Sequence, residues 1–182
     1  MLRLSARDIT YVALFSALVA GGALVTIPLG AVPFTLQVLF VLLAGIVLGP
    51  RLGVLSVVVY LCLGLIAPVY HGGTSGLGVL FGPTGGYLWG FLPAVILTGL
   101  LATGGRASLP RLVAAGVLGL VPIYVLGTVW LALQLHLGAG AAITAGVTPF
   151  IALDLAKAVV AGLAARSLVT LPLNLPALQR GR

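Results

Sequence analysis

The sequence predicts an all-α integral membrane protein of six transmembrane helices with cytoplasmic N- and C-termini. Three observations predict it. Of the 182 residues, 61% are hydrophobic and only 6% are charged, whereas about a quarter are charged in a soluble domain. Apolar runs long enough for a hydrocarbon core of roughly 30 Å recur along nearly the whole chain, without the alternating polarity of barrel strands. The arginines cluster at alternate ends of those runs, as a membrane orientation requires. One compact bundle fits this length, so residues 1–182 are read as a single six-helix domain.

The first helix is read over about residues 6 to 27. Arg3 and Arg7 ahead of an apolar run resemble a signal peptide, but the run is long for a signal core. "SARD" (Ser5 to Asp8) is a capping box that starts a full span and accounts for Asp8. Within it, Ala13, Ala17 and Gly21 recur every four residues along one ridge, a spacing that lets another helix approach closely. That ridge either packs inside the bundle or docks a partner. "GIVLG" (Gly45 to Gly49) is a similar motif and reads as internal packing.

Proline and glycine punctuation sets the remaining helices at about 34 to 48, 52 to 67, 85 to 102, 110 to 137 and 149 to 171. The second and third are short for spanning helices and meet at the "GPRLG" turn (Gly49 to Gly53). Pro93 and Pro122 fall inside helices four and five, where kinks are expected. Cys62 lies alone in an apolar run, so an intrachain disulfide is excluded and the residue reads as packing.

A net charge of +7 suggests nucleic acid in a soluble protein, but these cations stand singly or in pairs at helix ends. With the N-terminus inside, Arg3, Arg7, Arg51, Arg106, Arg111, Arg166, Arg180 and Arg182 all fall on the cytoplasmic side. No nucleic-acid partner is expected; membrane lipid is. Lys157 is the one cation this rule leaves unassigned.

Lys157 follows Asp154 by three residues in "TPFIALDLAKAVVAG" (Thr148 to Gly162), which puts both on one face of the sixth helix. Thr148 and Pro149 read as its N-cap and first position, placing Asp154 about 8 Å and Lys157 about 12 Å below the outer end. An intramembrane charge costs roughly 2.5 to 3.5 kcal/mol even on a lenient scale, so two retained charges demand a reason. Either they form an ion pair that holds the bundle, or they clamp a polar ligand. The segment "YHGGTSGLGVLFGPTGGYLWGF" (Tyr70 to Phe91), with eight glycines, opens toward the same depth. Non-helical backbone there is tolerated where it is buried or lines a cavity, so the segment reads as a pocket wall and lid. "GTSGLG" (Gly73 to Gly78) lacks the strand-to-helix setting and the lysine of a phosphate loop, and Lys157 is the only lysine in the chain.

"PFTLQVLFVLLAGIVLGPRLG" (Pro33 to Gly53), "GGTSGLGVLFGPTGGYLWGF" (Gly72 to Phe91) and "PFIALDLAKAVVA" (Pro149 to Ala161) together resemble the BioY family, the biotin-binding S components of energy-coupling factor (ECF) transporters. "GPTGGY" (Gly82 to Tyr87) is the most specific piece and the D-x-x-K of helix six the second. The resemblance implies a cell-membrane protein that captures biotin near its outer face. Uptake would be driven by a transmembrane T protein and two cytosolic ATPase subunits, with no cofactor and no enzymatic activity in this chain. It also implies that the loops after helices one and three assist capture, and that a small-residue stripe such as Ala13, Ala17 and Gly21 docks the T protein.

Biotin makes chemical sense of the residues, because its ureido ring offers two N–H donors and a carbonyl acceptor on an apolar body. Asp154 can accept from a ureido N–H; Lys157 can donate to the carbonyl or to the ligand carboxylate. Tyr87 reads as a pocket aromatic, with Trp89 and Phe91 behind it. Thr35 and Gln37 in "PFTLQ" lie beside the first outer loop, where capping of helix two is their structural role and ligand contact their functional one. Thr74 and Ser75 occupy the loop position where some members of the family carry an amide residue. His71 and His136 read as ordinary interface residues. The rival functions are an S component for another small vitamin-like ligand and a polytopic membrane enzyme. The second is poorly served by two acidic residues and one cysteine.

Overall fold

The computed structural model describes residues 4–103 and 108–168. Its elements in chain order are α1 (Ala6–Leu24), β1 (Thr26–Pro28), β2 (Pro33–Thr35), α2 (Gln37–Ile66), a 3₁₀ turn (His71–Gly73), α3 (Leu77–Leu80), α4 (Gly85–Ala102), α5 (Leu109–Leu135), α6 (Ala139–Gly146) and α7 (Ile151–Leu168). Arg3, Arg106, Ala107, Arg180 and Arg182 lie outside the described residues.

The capping box starts α1: Ser5 Oγ accepts from the Asp8 N–H at 3.2 Å, and Asp8 Oδ2 accepts from the Ser5 N–H at 3.0 Å. The helix stops at Leu24, three residues before the expected end, because Thr26–Pro28 pairs antiparallel with Pro33–Thr35. This small hairpin was not anticipated. Prolines at its tip-side positions, Pro28 and Pro33, have no N–H to give a longer ladder.

The expected second and third helices form a single element broken at Gly49, whose φ of 78° and ψ of 179° are non-helical. The break is a reversal. Gln37 Nε2 donates to Tyr60 Oη, although 23 residues of straight helix would separate them by about 35 Å. Limbs 37–48 and 50–66 therefore run antiparallel, with Pro50 at the favoured first position of the second limb. Pro93 and Pro122 stay within α4 and α5.

Packing follows membrane rules. The inner face of α5 is rich in small residues, including Ala115, Gly116, Gly119 and Gly127, while Leu118, Val121, Val125 and Val129 point outward. Gly116 lies against Ala158 of α7, which a side chain there would push away. Gly45 likewise packs on Thr98 of α4, as "GIVLG" predicts. Cys62 corrects the packing expectation, because it is exposed on the outer face of α2.

Among the described residues, α1, the stretch Gln37–Gly73 containing α2, α4 and α5 are long and apolar enough to cross a membrane; α6 and α7, bent by 49°, form a fifth span if counted together. Helix α6 lies where a loop was expected, and α7 begins at Ile151 because residues 147–150 still close the end of α6, Thr148 N–H bonding Ile143 O at 3.1 Å. The chain direction puts Arg7, Arg51, Arg111 and Arg166 at one end of the bundle, and the β hairpin, the 67–84 segment and α6 at the other. At the arginine end, Arg111 Nε donates to Leu101 O at 2.7 Å and its Nη2 to Thr103 O, closing the last turn of α4.

Candidate ligand-binding site

Asp154 occupies the first turn of α7, where the helix dipole favours an anion, and Lys157 lies one turn further along the same face. Both are buried, at 5% and 6% exposure, so each must be satisfied by protein. Lys157 Nζ donates to Asp154 Oδ1 and to the Thr35 carbonyl, both at 2.6 Å, and sits 3.8 Å from the centre of the Phe34 ring. Asp154 Oδ2 accepts from Tyr124 Oη at 2.6 Å. The ion pair thus joins α7 to α5 and to the β2 strand.

The turn after β2 organises a second polar group. Thr35 Oγ1 donates to Gln37 Oε1 at 2.9 Å, and Gln37 Nε2 donates to Tyr60 Oη from the opposite limb of α2. The close approach of the limbs therefore fixes the amide, and Gln37 is 3% exposed.

These groups border a pocket of about 570 Å³, counting its open mouth. Its wall is mostly apolar, with Val38, Leu88, Phe91, Ile123 and Phe150 between the polar groups. Such a lining suits a small molecule fixed by a few placed polar contacts. Tyr87 reaches it from α4, its hydroxyl donating to Gly146 O at 2.9 Å. Gly127 of α5 leaves the space that the Tyr87 ring fills.

Of the residues expected at a site, the structure brings Asp154, Lys157, Gln37, Thr35 and Tyr87 to one pocket. Thr74 and Ser75 are elsewhere: both are exposed, and Thr74 Oγ1 donates to His71 O at 2.8 Å, which turns it away from the lining. Phe91 lines the pocket; Trp89 does not, and with Trp130 it anchors the glycine-rich segment, donating to Leu80 O at 3.0 Å and to Gly82 O at 2.9 Å. From that segment the pocket receives His71 and Thr84 instead. Tyr124 and Phe34 had no mark in the sequence beyond being aromatic. Ala13, Ala17 and Gly21 face outward, away from the bundle and the pocket.

Helices with lipid-facing aliphatic surfaces, closed at one end over an apolar pocket with a buried ion pair, define a membrane-embedded small-molecule-binding protein. The BioY family model matches residues 1–172, and the chain belongs to that family. It is 42% identical over 166 residues to a probable biotin transporter BioY of Pyrococcus horikoshii, covering 91% of this chain and 98% of that one. It is 45% identical over 160 residues to the biotin transporter BioY of Thermotoga maritima, covering 87% and 94%. Among solved structures it resembles the S-component for biotin from an ECF-type ABC transporter, with a TM-score of 0.81 and 28% identity over 91% of this chain and 94% of that one.

Proposed function

We propose that this chain captures biotin in the pocket around Asp154 and Lys157 and serves as the substrate-binding subunit of an ECF-type transporter in the cell membrane. The observation that carries the reading is a buried, hydrogen-bonded Asp–Lys pair in the wall of a small apolar pocket, in a chain of the BioY family. Asp154 accepts a ureido N–H, Lys157 stands beside it as donor, Gln37 and Thr35 bound the same end, and Tyr87 supplies an aromatic wall. Thr74 and Ser75, exposed in the glycine-rich segment, join the ligand contacts once that segment moves over the pocket. The role we assign is binding and transfer without covalent chemistry, in keeping with relatives named as biotin transporters.

The membrane arrangement we propose is one domain of six spans over residues 1–182, with both limbs of α2 crossing and both termini cytoplasmic. Support comes from the reversal at Gly49 and from the four described arginines at one end of the bundle. The ATP-driven step is assigned to a T protein and two ATPase subunits, with Ala13, Ala17 and Gly21 as the docking ridge. Calorimetry on purified protein tests the central reading: biotin should bind with saturable 1:1 stoichiometry, and riboflavin and thiamine should not. Binding of either control in preference to biotin would assign the pocket to another vitamin.

A further inference from the structure

Gln37 lines the pocket with an amide, and an amide can present either of two ends. Its oxygen accepts, its nitrogen donates, and a half-turn about the last side-chain bond exchanges them. What a ligand meets therefore depends on what holds the amide from behind. Thr35 Oγ1 already accepts from the Gln37 backbone N–H at 3.4 Å, so its own proton goes to Gln37 Oε1, 2.9 Å away. At the other end Nε2 donates to Tyr60 Oη. After these bonds the amide keeps one lone pair on Oε1 and one N–H on Nε2 for a ligand. Thr35 also ties the amide to the charged pair, since its carbonyl accepts from Lys157 Nζ at 2.6 Å. The two groups thus flank one residue, within reach of one ligand ring.

Tyr60 itself is outside the pocket wall. It stands on the second limb of α2, which supplies none of the lining residues, and it is fully buried. Packing alone sets its position. The Tyr70 ring meets it edge-on, with centroids 5.7 Å apart and planes at 80°, and Tyr70 is fixed in turn by its hydroxyl, which donates to Leu61 O at 2.6 Å. Gly64 leaves the space that the Tyr70 ring fills. A hydroxyl held this firmly can hold another group in place.

We infer that Tyr60 is a positioning residue for ligand selection: its hydroxyl keeps the Gln37 amide in one orientation and so fixes the order of donors and acceptors that the pocket offers. This deepens the biotin reading above and rests on it. A cyclic urea carries two donors and one acceptor in a fixed order, and an amide turned the wrong way sets donor against donor. Without the Tyr60 hydroxyl, Nε2 loses its acceptor and the amide must be ordered at the moment of binding, at a cost in affinity.

The test is a double-mutant cycle on the purified full-length chain, read as biotin affinity by calorimetry. Tyr60→Phe removes the hydroxyl and keeps the ring, and Gln37→Met removes the amide at nearly constant volume. Tyr60→Phe should weaken biotin about fivefold, the loss expected of one neutral hydrogen bond, and Gln37→Met at least as much. In the Gln37→Met background Tyr60→Phe should change affinity by less than about twofold, because no amide is left to orient. The second readout is 2-iminobiotin, in which a donor replaces the ureido carbonyl acceptor. The parent should prefer biotin, and Tyr60→Phe should narrow that preference, since an untethered amide can turn its oxygen to the new donor. Equal losses in both backgrounds, or an unchanged preference, would show that Tyr60 acts through packing and would overturn the role, as would a Tyr60→Phe chain that cannot be recovered folded. A parent that does not bind biotin overturns the biotin reading and this role with it, whereas normal biotin affinity in Tyr60→Phe overturns the role alone.

Discussion

Asp154 has two donors at 2.6 Å, and they are not equivalent: Lys157 balances its charge, while Tyr124 spans from α5 and orients its second oxygen. Asp154→Asn and Lys157→Ala should each weaken biotin binding at least about tenfold, or ~1.4 kcal/mol. Either substitution also strands a partner in a buried site, which destabilises by about 3 to 5 kcal/mol. The double variant Asp154→Asn with Lys157→Met removes both charges, so its thermal stability in detergent should recover while binding stays lost. Normal biotin affinity in that double variant would make the pair structural only. Tyr124→Phe deletes one neutral donor and should cost about 1 kcal/mol, roughly fivefold in affinity. The pair was legible in sequence because a charge in an apolar helix is expensive and therefore conspicuous. Tyr124 was not, since a tyrosine in an apolar run carries no such mark and its partner is 30 residues away. Thr74 and Ser75 are a different case: polar residues in a glycine-rich loop look like ligands, and here they follow a short 3₁₀ turn, exposed and outside the pocket lining.

The elements that position the pocket depend on backbone geometry at a few points, of which Gly49 is the sharpest. Its φ of 78° with ψ of 179° belongs to a region open essentially to glycine, so Gly49→Ala should destabilise by about 1 to 3 kcal/mol. Gly21→Ala is the control: a Cβ there meets nothing within 4 Å, and alanine gains up to about 1 kcal/mol of helix propensity. Melting temperatures of the two variants in detergent should move in opposite directions or at least separate clearly. If Gly49→Ala melts with the parent, the reversal tolerates an ordinary residue and the hairpin of α2 is held by packing alone. Long apolar runs and their punctuation revealed α1, α4 and α5 to within three residues at each end. They did not reveal α6, because "AGAAITAG" is short and made of small residues that suit a loop as well as a helix. The β hairpin was hidden for a similar reason, three-residue strands being too brief to show alternation.

At the scale of the whole molecule, orientation and coupling are separate questions with separate readouts. In a background with exposed Cys62 replaced by Ser, a cysteine at Thr74 should react with an impermeant thiol reagent from outside, and one at Arg51 only from the cytoplasmic side. Reversed labelling would invert the proposed topology. Coupling turns on the ridge of α1. Ala13, Ala17 and Gly21 are exposed, so they are not spent on packing within this chain, and close helix association in lipid depends on small side chains rather than on water exclusion. If the ridge receives the T protein, Ala13→Trp and Ala17→Trp should hold the partner helix away, abolishing co-purification of the T protein and biotin uptake in cells that contain the ATPase subunits. The pocket is built from β2, α2, α4, α5, α6 and α7 and the turns that carry Val32, His71 and Thr84, with no lining residue from α1. Biotin binding by the purified variants should therefore stay within about threefold of the parent, less than 1 kcal/mol. Because the tryptophans would project into lipid, thermal stability should be unchanged. Intact uptake in both variants would instead leave the ridge as plain lipid-facing surface and direct the search for the docking face to the exposed aliphatic stripe of α5.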